Sequence, residues 1–236
     1  MMHEWPRRVA ALAQLRVADL SEPVLSRDDD HHLRRVLRAK EGEELVLTDG
    51  RGSWRLGAVA ASGLDVVSDV VVDPVAPETT LYLAPLKGER GEWAVAKATE
   101  VGVSTIVPLV SQRLAHKFRG EARDKVLGRW RRIAEETCGQ CRRTYDLVIT
   151  EPVTPEDVPV DAAIADFSGS GDWSGLRAVC VGPEGGWAPG EWDDSRRRVS
   201  LGPTVLRGET AAVVAAALLT FTNGSWGFTL GGDENE

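Results

Sequence analysis

The stretch VCVGPEGGWAPGEW (Val179–Trp192) ends an apolar run in Gly-Pro-Glu-Gly-Gly. Glycine accepts positive φ and lets another group come close to the main chain. Paired glycines at a strand end therefore suit either a tight turn or a ligand lying on the backbone. A segment of the same form, LGPTVLRGET (Leu201–Thr210), follows a second short apolar run. Each alone reads as a turn. Two of them at adjacent strand ends, each leading into a helical segment, could instead present backbone N–H and C=O groups to one flat ligand. That is the crevice where open α/β sheets bind.

Working outward, short apolar runs alternate with helical patterns, which predicts an α/β layer with a mainly parallel sheet. The predicted strands are TLYLAP, TIVPLVS, YDLVIT, AAIADF, AVCVGP and RVSLGP. The predicted helices lie near Gly88–Val101, Glu121–Arg142, Pro189–Arg197 and Gly208–Thr222. In the second of these, Val126, Leu127, Trp130, Ile133, Ala134, Thr137, Cys138 and Cys141 recur at intervals that form one stripe, with most arginines off it. The last helix, ETAAVVAAALLTFT, is apolar almost all round and must be covered on several sides, by the rest of the chain or by a second subunit.

The N-terminal third reads differently. ELVLTDGRGSWRLGAVA predicts a hairpin around Asp49–Gly52, followed by LDVVSDVVV, so a small antiparallel barrel or sheet is expected. The proline-rich DPVAPE (Asp73–Glu78) suits a linker, since proline cannot donate to a ladder. Domains are therefore expected at residues 1–74 and 79–236.

The chain has 236 residues, 42% of them hydrophobic and 27% charged, enough for one large or two small cores and unlike a disordered chain. No run approaches a membrane span, and Met1–Leu15 is too broken by charge and by Pro6 for a signal peptide, so a cytoplasmic address is expected. The three cysteines form no disulfide framework. Cys138 and Cys141 sit on the apolar stripe without a second pair, and the four histidines have no ligand-spaced partners, so no metal is expected. The net charge of −8 argues against a uniformly basic surface. Bases nevertheless cluster in HHLRRVLRAK (His31–Lys40) and between Arg113 and Arg143, Lys117 included, while acids gather at Asp28–Asp30, Glu41–Glu44 and the GGDENE tail.

Other glycine-rich loops fail their motifs. TDGRGSWRLG lacks dinucleotide-binding spacing, no P-loop occurs, and IADFSGSGDW leaves too little chain for a Rossmann-type continuation.

Four blocks, KGERGEWAVAKATEVGVSTIVPLVSQR (Lys87–Arg113), RWRRIAEETCGQCRR (Arg129–Arg143), VGPEGG and LGPTVLRGETAA (Leu201–Ala212), resemble the RsmE family in order and spacing. HHLRRVLRAKEGEELVLTDGRG (His31–Gly52) resembles that family's N-terminal PUA-like RNA-binding barrel. The resemblance implies S-adenosylmethionine-dependent methylation of N3 of a uridine in 16S rRNA of the small ribosomal subunit. It also implies a SPOUT methyltransferase domain with a C-terminal trefoil knot, and a homodimer.

Motif position assigns to the cofactor Leu109, Ser111, Val181, Gly182, Pro183, Glu184, Gly185, Gly186, Leu201, Gly202, Val205, Leu206, Arg207 and Thr210. On this reading Gly185 and Gly186 clear space for the cofactor. Arg207 is the candidate for stabilising charge on the uracil carbonyls, and Glu209 or Glu184 for taking the N3 proton. Arg34, Arg35, Arg38, Arg131, Arg142 and Arg143 are expected to contact RNA phosphates. Two departures stand out: Gly139 occupies the place of the family's usual glutamate, and the N-terminal opening matches loosely. Another SPOUT activity, such as tRNA ribose 2′-O methylation, and a non-catalytic RNA-binding relative remain open.

Overall fold

A computed structural model describes residues 5–114 and 118–224; Lys117 and the acidic tail lie outside the described residues. The chain divides into two compact units, Met1–Val75 with Glu136–Asp146, and Ala76–Glu135 with Leu147–Glu236.

The first unit carries helix α1 (Trp5–Ala10) and five strands, β1 (Ala13–Arg16), β2 (Glu44–Thr48), β3 (Ser53–Val59), β4 (Leu64–Val66) and β5 (Val71–Val72). β2, β3, β4 and β5 pair antiparallel, but β1 runs parallel to β2, which departs from the all-antiparallel expectation. A two-residue hairpin cannot join parallel neighbours; here the connection holds helix α2 (Arg27–His31) and a single π-helical segment, His32–Val36. In that segment Leu33 alone is buried. Successive β2 side chains go to opposite faces, and both faces are covered: Leu45 and Leu47 join Leu15, Leu33 and Val59, while Val46 joins Trp54 and Leu56.

The hairpin turn at Asp49–Gly52 is closed by the Asp49 carboxylate, which accepts from Arg51 N at 2.7 Å and Ser53 N at 3.1 Å. Residues 136–146 are tied to the same unit. Gly52 N donates to Thr144 O at 3.0 Å, Asp146 N to Gly50 O at 2.9 Å, and Gln14 Nε2 to the carbonyls of Cys138 and Arg143 at 3.2 and 2.6 Å. A Cβ at Gly139 would lie 3.3 Å from Gln14 O, so the β1 backbone crowds this position.

In the second unit six strands form one parallel sheet in the order β11-β9-β10-β6-β7-β8. They are β6 (Thr80–Leu83), β7 (Thr105–Pro108), β8 (Val148–Ile149), β9 (Ala163–Ser170), β10 (Ala178–Val181) and β11 (Arg198–Val199). Every predicted strand is present, and the buried runs Leu81–Ala84 and Val179–Val181 show why a parallel sheet reads as continuous apolar sequence. Helices α3 (Arg90–Glu100), α4 (Gly120–Gln140) and α5 (Gly208–Thr222) are also present. On α4, Leu127, Trp130, Ala134, Thr137 and Cys138 are buried, and Arg129, Arg131 and Arg132 are exposed. The helix stops where Arg142 takes φ of 62°, with Arg143 N donating to Cys138 O at 3.0 Å, the six-to-one bond of a Schellman cap.

Two expectations fail. Pro189–Arg197 is a run of turns. Asp193 accepts from Ser195 N at 2.8 Å and the Glu191 carboxylate takes Ala188 N at 2.7 Å, so side chains satisfy amides that a helix would use. The SGS of the set-aside loop is not a loop: it ends β9, and a Cβ on Gly169 would overlap the Val199 backbone. Glycine there lets β11 approach, and the ladder slips between Arg198 and Val199, from Arg198↔Ile164 to Val199↔Ser170.

Candidate functional site

The carboxyl ends of β9, β10 and β11 surround a cavity of about 540 Å³ within the second unit. This lies in the range of roughly 300–1,000 Å³ common for small-molecule sites. Both Gly-Pro segments wall it. The first contributes Val181, Gly182, Pro183, Glu184 and Gly186, and the second Leu201, Gly202, Val205 and Leu206.

The first segment is both the turn and the wall that its sequence left open. Gly186 N closes on Pro183 O at 2.8 Å, with Gly186 at φ 66°. A Cβ on Gly182 would meet the Trp187 ring at 2.9 Å. Gly185 does not line the cavity; its carbonyl accepts from the Arg113 guanidinium. Of the two glycines expected to clear space, Gly186 lies on the cavity wall and Gly185 serves the turn.

Two carboxylates further hold this loop, Glu184 and Glu191. Glu184 Oε1 accepts Lys87 N at 3.0 Å and lies 3.7 Å from Arg90 Nη1. Glu191, only 7% exposed, accepts Gln112 N at 2.6 Å through one oxygen and Ala188 N at 2.7 Å through the other. Breaking hydrogen bonds to a buried carboxylate is costly, so one carboxylate that accepts from both amides fixes both segments at once. Leu109 and Ser111, expected as cofactor contacts, are fully buried and are not among the lining residues. Their segment reaches the loop through Gln112 and Arg113 instead. Thr210 is exposed and also outside the lining.

Arg207 precedes α5 in extended conformation, exposed, between the lining residues Leu206 and Gly208. Glu209, in the first turn of α5, has a side chain 16% exposed. Its Oε1 lies 3.9 Å from Arg90 Nε, and its Oε2 is buried without a hydrogen-bond partner among the described residues.

Sequence reasoning passed over Phe167, Asp166 and Arg198, all of which line the cavity. Phe167 is 66% exposed. Arg198 Nη1 donates to Asp166 Oδ2 at 3.0 Å. Hydrogen bonds from Ser168, at 2.6 Å from Oγ and 2.8 Å from N, together with the Arg198 charge, hold the Asp166 carboxyl below the usual carboxylate range despite its burial. The signal was an exposed-type aromatic and two opposite charges at the ends of apolar strands. Nothing in the sequence pairs β9 with β11.

The basic candidates divide. Arg35 and Arg38 are exposed, and Arg34 pairs with Asp30 at 2.7 Å. Arg131 pairs with Glu151 at 2.7 Å on the surface. Arg142 and Arg143 turn inward: Arg142 donates to Ala11 O at 2.5 Å and Gly139 O at 3.2 Å, and Arg143 Nε to Tyr145 O at 2.5 Å. Burial lowers the pKa of both guanidinium groups. Among the described residues no group of three or more His, Cys, Asp or Glu is placed to hold a metal ion, and no helix is long and apolar enough to cross a membrane.

Residues 74–220 match the family model described as RNA methyltransferase domain, and residues 25–65 match that of the RNA methyltransferase PUA domain. A ribosomal RNA small subunit methyltransferase E from Mycobacterium tuberculosis is 33% identical over 86% of this chain and 87% of its own length. One from Bacillus subtilis is 24% identical over 82% and 88%. Among solved structures, a methyltransferase from Legionella pneumophila in complex with S-adenosylmethionine superposes with a TM-score of 0.74 at 26% identity, covering 87% of this chain and 96% of that one. A ribosomal RNA small subunit methyltransferase E from Neisseria gonorrhoeae, bound to S-adenosyl methionine, shares the fold with a TM-score of 0.75 at 23% identity over 89% and 97%.

Proposed function

Because the chain belongs to the RNA methyltransferase family, we propose that it methylates N3 of a uridine in 16S rRNA, with S-adenosylmethionine as donor. The observation that carries this is the convergence of both Gly-Pro strand ends on one cavity at the carboxyl edge of a parallel sheet. The cavity also fits such a ligand chemically, since it combines apolar wall from Val181, Leu201 and Leu206 with carboxylates suited to a cationic centre.

S-adenosylmethionine supplies an electrophilic methyl group on a sulfonium. The turn at Pro183–Gly186 and the segment Leu201–Leu206 hold the donor, and Glu191 and Arg113 keep the first of these rigid, which is what an in-line transfer requires. Arg207, exposed beside the lining, meets the negative charge that develops on the uracil carbonyls when N3 loses its proton. Of the two carboxylates considered as proton acceptor, Glu184 already accepts Lys87 N. Glu209, whose Oε2 has no hydrogen-bond partner among the described residues, is the better candidate. The target base must be unpaired or flipped out for N3 to be reached.

On the same reading, residues 1–74 form a PUA-like barrel and 79–236 a SPOUT domain whose C-terminal segment is knotted. Arg34, Arg35 and Arg38, with Arg131, contact rRNA phosphates, and the setting is cytoplasmic. A second copy covers α5, on which Val213, Val214, Ala217 and Leu218 are only half-buried.

The test is transfer of labelled methyl to small subunits and to tRNA from cells lacking the protein, followed by mapping of the modified nucleotide. Label at N3 of a 16S uridine is expected. Label on tRNA ribose would assign another activity, and RNA binding without label would leave a non-catalytic relative.

A further inference from the structure

The cavity wall carries four charged side chains among the described residues: Asp166, Glu184, Asp194 and Arg198. A cationic part of a ligand therefore has several carboxylates to approach, whereas an anionic part has one guanidinium. S-adenosylmethionine has two positive centres, sulfonium and ammonium, and one negative group, the methionyl carboxylate. Coulomb attraction in a partly enclosed cavity would send that carboxylate to Arg198, the one lining cation among the described residues.

We propose that Arg198 anchors the methionyl carboxylate of the cofactor, with Asp166 as the residue that orients its guanidinium; this rests on the cavity being the S-adenosylmethionine site. Arg198 has five N–H donors in a planar fork, and one of them is used by Asp166 at 3.0 Å. Among the described residues the others have no protein partner, and the side chain is 28% exposed. Asp166 is itself locked by Ser168 N at 2.8 Å and Ser168 Oγ at 2.6 Å, so the fork is held before a ligand arrives. Backbone geometry contributes independently. The register slips between Arg198 and Val199, and bulges of this kind re-aim a side chain beside functional sites. Gly169 permits the slip by admitting the Val199 backbone.

The test is calorimetric titration with two ligands, S-adenosylmethionine and 5′-methylthioadenosine, which keeps the adenosine and sulfur but lacks the amino-acid end. Arg198→Ala is expected to weaken S-adenosylmethionine binding on the order of 10- to 100-fold, the loss of a charge-assisted hydrogen-bonded contact. Its 5′-methylthioadenosine affinity should equal that of wild type. Arg198→Lys should fall between, because an ammonium keeps the charge and loses the fork. Equal losses on both ligands, or no loss on either, would overturn the proposal. So would unchanged S-adenosylmethionine binding with weaker rRNA binding and a shallower salt dependence, which would make Arg198 a phosphate contact. If Arg198→Ala does not fold, the same ligand pair on Arg198→Lys decides, since a lysine that binds both ligands like wild type excludes a fork-specific anchor. Wild-type protein that binds neither ligand would instead refute the cofactor reading of the cavity.

Discussion

The buried carboxylate of Glu191 accepts the backbone N–H of Gln112 at 2.6 Å, joining the segment after β7 to the turns after β10. Its other oxygen takes Ala188 N. Glu191→Ala leaves two amides without acceptors, at about 1–3 kcal/mol each if water does not replace the oxygen. The expected result is a lower urea midpoint and weaker S-adenosylmethionine binding by calorimetry. Glu191→Gln, with one carbonyl oxygen left, should lie between. A variant as stable and as tight-binding as wild type would remove Glu191 from the support of the cradle.

Arg207 is exposed beside the cavity, in extended conformation before α5. Arg207→Ala is therefore expected to lower kcat by roughly 100-fold, the scale of losing one stabilising donor, with S-adenosylmethionine affinity nearly unchanged. Wild-type turnover in the variant would exclude Arg207 from the transfer step.

Asp73 is expected to make the first unit sensitive to acid. Burial pushes its carboxyl up, but hydrogen bonds from Thr144, Trp54 and Arg8, with the Arg8 charge, outweigh that and hold it below its ordinary value. A carboxylate so depressed adds stability that is present above its unfolded value, about pH 4, and is lost as the pH falls through the folded value. Asp73→Asn should flatten the stability curve below pH 4 and lower the plateau above it. An acid limb identical to wild type would assign the sensitivity elsewhere.

The basic residues should separate by burial. Arg35→Ala with Arg38→Ala is expected to weaken rRNA binding and make log Kd less steep in log salt by about 0.7 to 0.9 per lost phosphate contact, at unchanged stability. Arg142→Ala should instead lower the melting temperature, because its guanidinium bonds the carbonyls of Ala11 and Gly139. A salt slope altered by Arg142→Ala in a protein of wild-type stability would return that arginine to the RNA face.

Local pattern alone carried much of this molecule. The apolar runs from Thr80 to Val199, the stripe on α4 and the near-continuous apolarity of α5 each predict their element, because the period of burial is written into consecutive residues. The two Gly-Pro segments likewise marked the cavity wall. Tertiary structure decided what depends on residues far apart in the chain. The pairing of β9 with β11 brings Asp166 to Arg198; the hydrogen bond from Gln112 N to the buried Glu191 carboxylate fixes the loop; and the inward turn of Arg142 follows from the Ala11 carbonyl just before β1. Charge and hydrogen-bonding capacity can be read from a sequence, but the partner that satisfies them is chosen by which backbones the packed core brings within about 3 Å.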